Sequence, residues 1–205
     1  MEKTSIAVLV SGGGTNLQAL IDAQSSGIIN HGRITAVISS KPDAYALKRA
    51  EAAGIPAYTA DRKALGQGFE QELRRLIRQA GAELIVLAGF MSILSADFTE
   101  SYPERIINVH PSLIPSFCGK GYYGLKVHEA ALARGVKLTG ATVHFVNDIP
   151  DGGRIIMQKA VEVHDGDTPE ALQQRVMREA EWIILPMAVE KIAKRIADKK
   201  SEEAK

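Results

Sequence analysis

Apolar positions along the chain fall into short runs separated by stretches of helical spacing. The first run, Ile6-Ala7-Val8-Leu9-Val10, stops at Ser11-Gly12-Gly13-Gly14-Thr15-Asn16. Leu17, Leu20 and Ile21 then recur on one helical face until Gly27, so the order predicted is strand, tight turn, helix. A second run, Ile34 to Ile38, ends at Ser39-Ser40-Lys41-Pro42 and leads into an alanine-rich helix, Ala44 to Ala53, closed by Gly54. Ile55-Pro56-Ala57-Tyr58 predicts a short strand. Phe69 to Gln79 predicts a helix with Leu73, Leu76 and Ile77 as its apolar stripe. Leu84-Ile85-Val86-Leu87 is the most strand-like run of all, and Ile106-Ile107-Asn108-Val109 is another. Strands and helices alternating at these lengths imply a parallel sheet with helices on both faces.

The pattern changes after about residue 137. Ala141 to Val146 and Ile155 to Gln158 read as two strands joined through the turn-forming cluster Pro150-Asp151-Gly152-Gly153. A long helix carrying Leu172, Val176, Ile183 and Ile184 fills the C-terminal part, and the charged tail, residues 196–205, is expected to fray. No repeat, low-complexity tract or linker interrupts the chain. The expectation is one domain over residues 1–205: α/β, a Rossmann-like and mostly parallel sheet flanked by helices, with a long C-terminal helix.

Composition narrows the partners. At 205 residues the chain can bury a core without staples. A net charge of +1 excludes a broad electrostatic grip on nucleic acid or an anionic membrane, so an anionic ligand needs a local site. Cys118 is the only cysteine, which rules out an internal disulfide and a thiolate zinc cluster; the histidines lack metal-ligand spacing, so no metal is expected. Met1 to Ser5 carries no signal-peptide pattern, and no apolar run approaches the roughly 18 residues a membrane helix needs. A cytoplasmic protein is expected, as a monomer or homodimer.

Two segments carry candidate chemistry. A glycine-rich turn between a first strand and a helix suits a phosphate, because exposed amides and the helix dipole both favour an anion there. The dinucleotide fingerprint fails, since Leu17 stands where a third glycine is needed and Ser39-Ser40 where a ribose-binding acid belongs. The P-loop pattern is absent too, so a single phosphate fits better than a pyrophosphate; a plain capped turn is the alternative. Thr15 and Asn16 would add side-chain donors or the cap. The second segment is Asn108-Val109-His110-Pro111-Ser112, beyond a strand end where open parallel sheets bind ligands. Asn108 and His110 are two apart and face the same way on an extended backbone, an amide donor beside a proton carrier. Asp151, if close, would raise the His110 pKa; a simple turn aspartate is the competing reading. His31, His128, His144 and His164 read as structural.

These segments together resemble the glycinamide ribonucleotide formyltransferases. The resemblance rests on Val8-Leu-Val-Ser-Gly-Gly-Gly-Thr-Asn-Leu-Gln-Ala-Leu20, Val86-Leu-Ala-Gly-Phe-Met-Ser-Ile-Leu94, Ile107-Asn-Val-His-Pro-Ser-Leu-Ile-Pro115, Thr142-Val-His-Phe-Val146 and Asp151-Gly-Gly. It implies the formyltransferase fold and transfer of a formyl group from 10-formyltetrahydrofolate to the amine of glycinamide ribonucleotide, in purine synthesis. It also implies residue roles. Asn108 and His110 would hold the oxyanion of the tetrahedral intermediate, and Asp151 would keep His110 protonated and help relay a proton. Gly14, Thr15 and Asn16 would hold the ribonucleotide phosphate, and Glu181 its glycinamide end, on a helix with one position more than the family's pattern. Met91, Ser92, Ile93 and Leu94, with Asn147, Asp148, Ile149 and Pro150, would line the pterin pocket. Ser92 and Gly66 stand where relatives carry arginines near the folate, with Arg62 and Lys63 close to the latter. The glycines of Ser116 to Gly124 suggest a mobile flap, and Cys118 within it reads as incidental.

Related formyl-folate enzymes share the catalytic set. A formyl-folate hydrolase is expected to carry an extra N-terminal regulatory domain, and the tRNA and sugar-nucleotide formyltransferases further domains of their own. A non-enzymatic nucleotide-binding module is the rival from another class.

Overall fold

Alternate residues of the first strand point into two different cores. Ile6, Val8 and Val10 join one buried cluster, while Ala7 and Leu9 join the other, and none is solvent-exposed. This is what a continuous apolar run does in a sheet covered on both faces. The computed structural model describes residues 3–203.

The strands are β1 (Thr4–Val10), β2 (Gly32–Ser39), β3 (Ala57–Thr59), β4 (Leu84–Leu87), β5 (Ile106–His110), β6 (Leu138–Phe145) and β7 (Ile155–Glu162). The helices are α1 (Thr15–Ser25), α2 (Tyr45–Ala52), α3 (Arg62–Leu65), α4 (Phe69–Gln79), α5 (Ala96–Glu100), α6 (Leu125–Arg134), α7 (Pro169–Val176) and α8 (Trp182–Glu203). One seven-stranded sheet runs in the order β3-β2-β1-β4-β5-β6-β7. The first five of these are mutually parallel, and β6 and β7 are antiparallel additions. The chain winds outward from β1 to β3, then returns to place β4 on the other side of β1. The carboxyl ends of β1 and β4 therefore form a switch point, where such sheets bind ligands.

One face is covered by α1, α2, α7 and α8, through Leu17, Leu20, Ala46, Leu172, Val176, Leu185 and Ile192. The other is covered by α4 and α5, through Phe69, Leu73, Ile77 and Phe98. The strands and main helices expected from periodicity are present. The short helices α3 and α5 were not legible, because four and five residues are too few to show a stripe.

The long C-terminal helix is interrupted. Between α7 and α8 a π turn, Met177–Glu181, replaces the α geometry. A π turn closes i→i+5 and so accommodates an extra position inside a helix. The segment expected to fray from residue 196 is helical to Glu203, with Ile196 and Ala197 buried against the core; Ala204 and Lys205 lie outside the described residues. Among the described residues no helix is long and apolar enough to cross a membrane.

Candidate active site

The glycine turn leaves β1 and enters α1 through Gly14, whose φ of 74° is the left-handed conformation that favours glycine. A Cβ there would also lie 2.7 Å from the Ala46 Cβ, so α2 packs onto a position only glycine can fill. Gly14 itself is the N-cap, and no side chain caps α1, contrary to a capping role for Thr15 or Asn16. Thr15 is exposed, whereas Asn16 turns inward and donates from Nδ2 to Glu181 Oε2 at 2.7 Å. Glu181 is held there by the π turn, and burial pushes its carboxyl pKa up against the opposing hydrogen bond from Asn16. Asn16 Oδ1 is buried with no partner among the described residues. Gly14, Thr15, Asn16 and Glu181 thus meet in one place.

The second cluster is built by β5 and β6. Register pairs Asn108 with His144 and His110 with Thr142, so all four side chains stand on one face. His144 Nδ1 lies 2.8 Å from the Phe145 carbonyl and donates to it, and its Nε2 lies 3.2 Å from Asn108 Nδ2. Asp151 is carried back over this face. Its Oδ2 lies 3.5 Å from His110 Nδ1, and its Oδ1 lies 3.5 Å from His144 Nε2. The aspartate is therefore more than a turn residue. It occupies a positive φ of 56°, and the two glycines after it are sterically required. A Cβ on Gly153 would sit 1.7 Å from the Phe145 oxygen, and one on Gly152 would sit 2.6 Å from Ile149 Cγ2.

The electrostatics differ from expectation at one point. Burial depresses the His110 pKa, and the Asp151 carboxylate and Phe117 carbonyl, which both raise it, do not compensate; His144 adds to the depression. Proximity of Asp151 was expected to raise the value, but desolvation of a nearly buried ring is the larger effect. Burial also opposes ionisation of Asp151, yet His144, His110 and the Gly119 amide together hold its carboxyl below the usual range.

The flap is tied into the cluster. His110 Nε2 donates to Phe117 O at 2.8 Å, and Gly119 N donates to Asp151 Oδ2 at 2.9 Å. Phe117 itself adopts a φ of 49°. Burial and the Asp151 charge raise the Cys118 pKa, which keeps it a thiol.

Beside the cluster lies a cavity of about 130 Å³, lined by Phe90, Ser92, Ile93 and Leu94, by Asn147, Asp148 and Pro150, and by Asn108, His144 and Asp151. Of the residues expected to line a pterin pocket, Met91 and Ile149 stand outside this lining, largely exposed. His144, read from sequence as structural, is part of the cavity wall. Its place opposite Asn108 was the available signal, and it needed the β5–β6 register. His110 is reached from the cavity through Asp151 rather than lining it. His31 pairs with Glu190 on α8, and His128 is fully buried on α6.

The family model described as formyl transferase matches residues 4–189. Phosphoribosylglycinamide formyltransferase of Haemophilus influenzae is 42% identical over 186 residues, which are 90% of this chain and 84% of that protein. The trifunctional purine biosynthetic protein adenosine-3 of Gallus gallus is 43% identical over 193 residues, 93% of this chain; the chain spans only 18% of that longer protein. Among solved structures, glycinamide ribonucleotide transformylase 1 from Symbiobacterium toebii superposes with a TM-score of 0.87 at 42% identity, covering 94% of this chain and 88% of that one.

Proposed function

The chain belongs to the formyl transferase family, and from that premise we propose that it transfers the formyl group of 10-formyltetrahydrofolate to the amine of glycinamide ribonucleotide. The products are formylglycinamide ribonucleotide and tetrahydrofolate, a step of purine synthesis. One observation carries the reading: Asn108, His144 and Asp151 line one cavity together with Ser92, Ile93, Leu94, Asn147, Asp148 and Pro150.

In this reading the pterin enters that cavity, and the ribonucleotide lies with its phosphate at Gly14, Thr15 and Asn16 and its glycinamide end toward Glu181. The amine nitrogen attacks the formyl carbon, the bond from that carbon to folate nitrogen breaks, and one amine proton ends on that nitrogen. Asn108 Nδ2 donates to the oxygen that becomes negative. Asp151, in reach of both His110 and His144, passes the proton along the wall. Neither a covalent nucleophile nor a metal is needed for such a step. Holding two substrates in line supplies much of the acceleration. His110 Nε2 and Asp151 Oδ2 exchange their flap contacts at Phe117 and Gly119 for contacts to the reacting groups.

The test is a folate absorbance assay with 10-formyltetrahydrofolate, with and without glycinamide ribonucleotide. The expected result is turnover that requires the ribonucleotide and yields its formylated form. Turnover without it would make the protein a hydrolase, and none in either case would overturn the reading.

A further inference from the structure

The segment proposed to meet the pterin is almost without hydrogen bonds of its own. The last backbone hydrogen bond before it runs from Ala88 N to Leu9 O at 2.9 Å. The next fixed group after it is Ser95, whose amide donates to Glu70 Oε1 at 2.8 Å. Among the described residues, the positions from Gly89 to Leu94 make a single hydrogen bond, in which Met91 N donates to Ser11 Oγ at 2.9 Å. The rest of the hold is apolar. The Phe90 ring stacks on Phe69 with centroids 6.2 Å apart, and Leu94 is buried with the residues of α4 and α5. Apolar burial is non-directional, so it keeps the segment on the core without fixing where along the surface it lies. A hydrogen bond of defined length and angle does fix that.

Ser11 is itself held in place. It follows β1 directly and opens the glycine turn, and it is buried, as is Ser40 just after β2. The two hydroxyl oxygens lie 2.6 Å apart, so one donates to the other. Ser40 is pinned through its backbone: its amide donates to Val10 O at 3.0 Å, and its carbonyl accepts from Arg62 N at 3.1 Å. In the sequence, Ser39-Ser40 stands only where a ribose-binding acid is missing. In the fold, Ser40 backs Ser11, and Ser11 reaches across the switch point between β1 and β4. Two buried hydroxyls thus stitch together the loops after β1, β2 and β4. Met91 also finds its part here, for its side chain is exposed outside the cavity while its amide ties the segment down.

We infer that Ser11 is a positioning residue for the transfer: it fixes the folate-facing segment against the turn that holds the ribonucleotide, and so sets how the amine and the formyl carbon line up. This rests on the reading of the two substrate sites given above, and adds to it the group that spans them. Alignment of two bound substrates is worth orders of magnitude in rate, and a displacement of about 1 Å is enough to lose much of it. A group that acts by alignment lowers kcat more than either KM.

The experiment uses the full chain, first by NMR hydrogen exchange without any substrate. In the parent the Met91 amide is protected while those of Phe90 and Ser92 exchange freely. Ser11→Ala speeds exchange at Met91 by about tenfold, the scale of one hydrogen bond. In steady-state assays with 10-formyltetrahydrofolate and glycinamide ribonucleotide, the same variant loses about tenfold or more in kcat, while both KM values stay within about threefold. A merely structural role would lower the melting temperature and leave kcat per folded molecule as in the parent. Ser40→Ala, which leaves Met91 its acceptor, keeps most of the rate. Three results overturn the inference. The first is a Met91 amide that exchanges in the parent as fast as its neighbours, which decides the matter even where Ser11→Ala does not fold. The others are an unchanged kcat in Ser11→Ala, and a loss in Ser40→Ala as large as in Ser11→Ala. A parent that protects Met91 through Ser11 yet does not formylate glycinamide ribonucleotide fails the functional reading and leaves the tether standing.

Discussion

Asn16 and Glu181, 165 residues apart in sequence, meet through a 2.7 Å hydrogen bond that joins the first turn of α1 to the π turn before α8. The carboxylate is almost fully buried, and burial raises its pKa. A buried acid with one hydrogen bond costs stability unless another donor meets it. In the proposed reaction that donor is the glycinamide end of the ribonucleotide.

Glu181→Gln therefore separates binding from folding. The glutamine oxygen still accepts from Asn16, and the cost of desolvating a carboxyl disappears. Thermal melting should hold or rise, while the ribonucleotide KM rises about tenfold, as for one charged hydrogen bond lost. A fall in melting temperature with an unchanged KM would assign Glu181 to the fold alone.

His110→Ala tests the division between the two clusters. The glycine turn proposed for the phosphate precedes α1, whereas His110, proposed to handle the proton, stands on β5, so removal of the imidazole should cut turnover by about a hundredfold or more. Ribonucleotide binding, measured by calorimetry, should change little. A loss of binding equal to the loss of rate would show that His110 holds the substrate instead.

Asp151→Asn should lower the His110 pKa further. The carboxylate favours the imidazolium, while burial, the larger influence, disfavours it. Removing the charge leaves burial unopposed except by the Phe117 carbonyl. NMR titration of the His110 ring in parent and variant reads this directly, and an unmoved or raised pKa would remove the electrostatic role given to Asp151. The same change also replaces the acceptor of the Gly119 amide with a neutral one, so amide exchange at Gly119 should quicken.

Much of this arrangement was legible in the sequence, for identifiable reasons. β1 and β4 are buried on both faces and read as apolar runs; α4 shows its stripe because one side meets solvent. The spacing of Asn108 and His110 gave their common direction. What was missed depends on contacts distant in sequence. His144 joins the cavity only through its pairing with Asn108 across 36 residues. The sign of the His110 shift depends on how deeply the ring is buried, which no motif states. The π turn could be suspected only as one surplus position, and its consequence, the inward swing of Glu181, needed Asn16 opposite it.

His128 gives the clearest pH dependence. The ring is fully buried on α6 with neither nitrogen hydrogen-bonded among the described residues, and burial, with a smaller contribution from the charge of His110, lowers its pKa to about 4. The unfolded chain takes up a proton at this residue near pH 6.5, whereas the folded chain resists until about pH 4. Between those values the unfolded state binds more protons, so stability falls as the pH drops through that window and is constant above it. At about 1.4 kcal/mol per pH unit, the full loss is on the order of 3 kcal/mol. His110 pulls in the same direction, so the comparison is with His128→Leu, which removes two unpaired buried nitrogens and should be no less stable at neutral pH. Urea midpoints measured at steps from pH 7.5 to 4 should diverge in favour of the variant as the pH falls. Parallel curves for the two proteins would mean that His128 is protonated as easily in the folded chain as in the unfolded one.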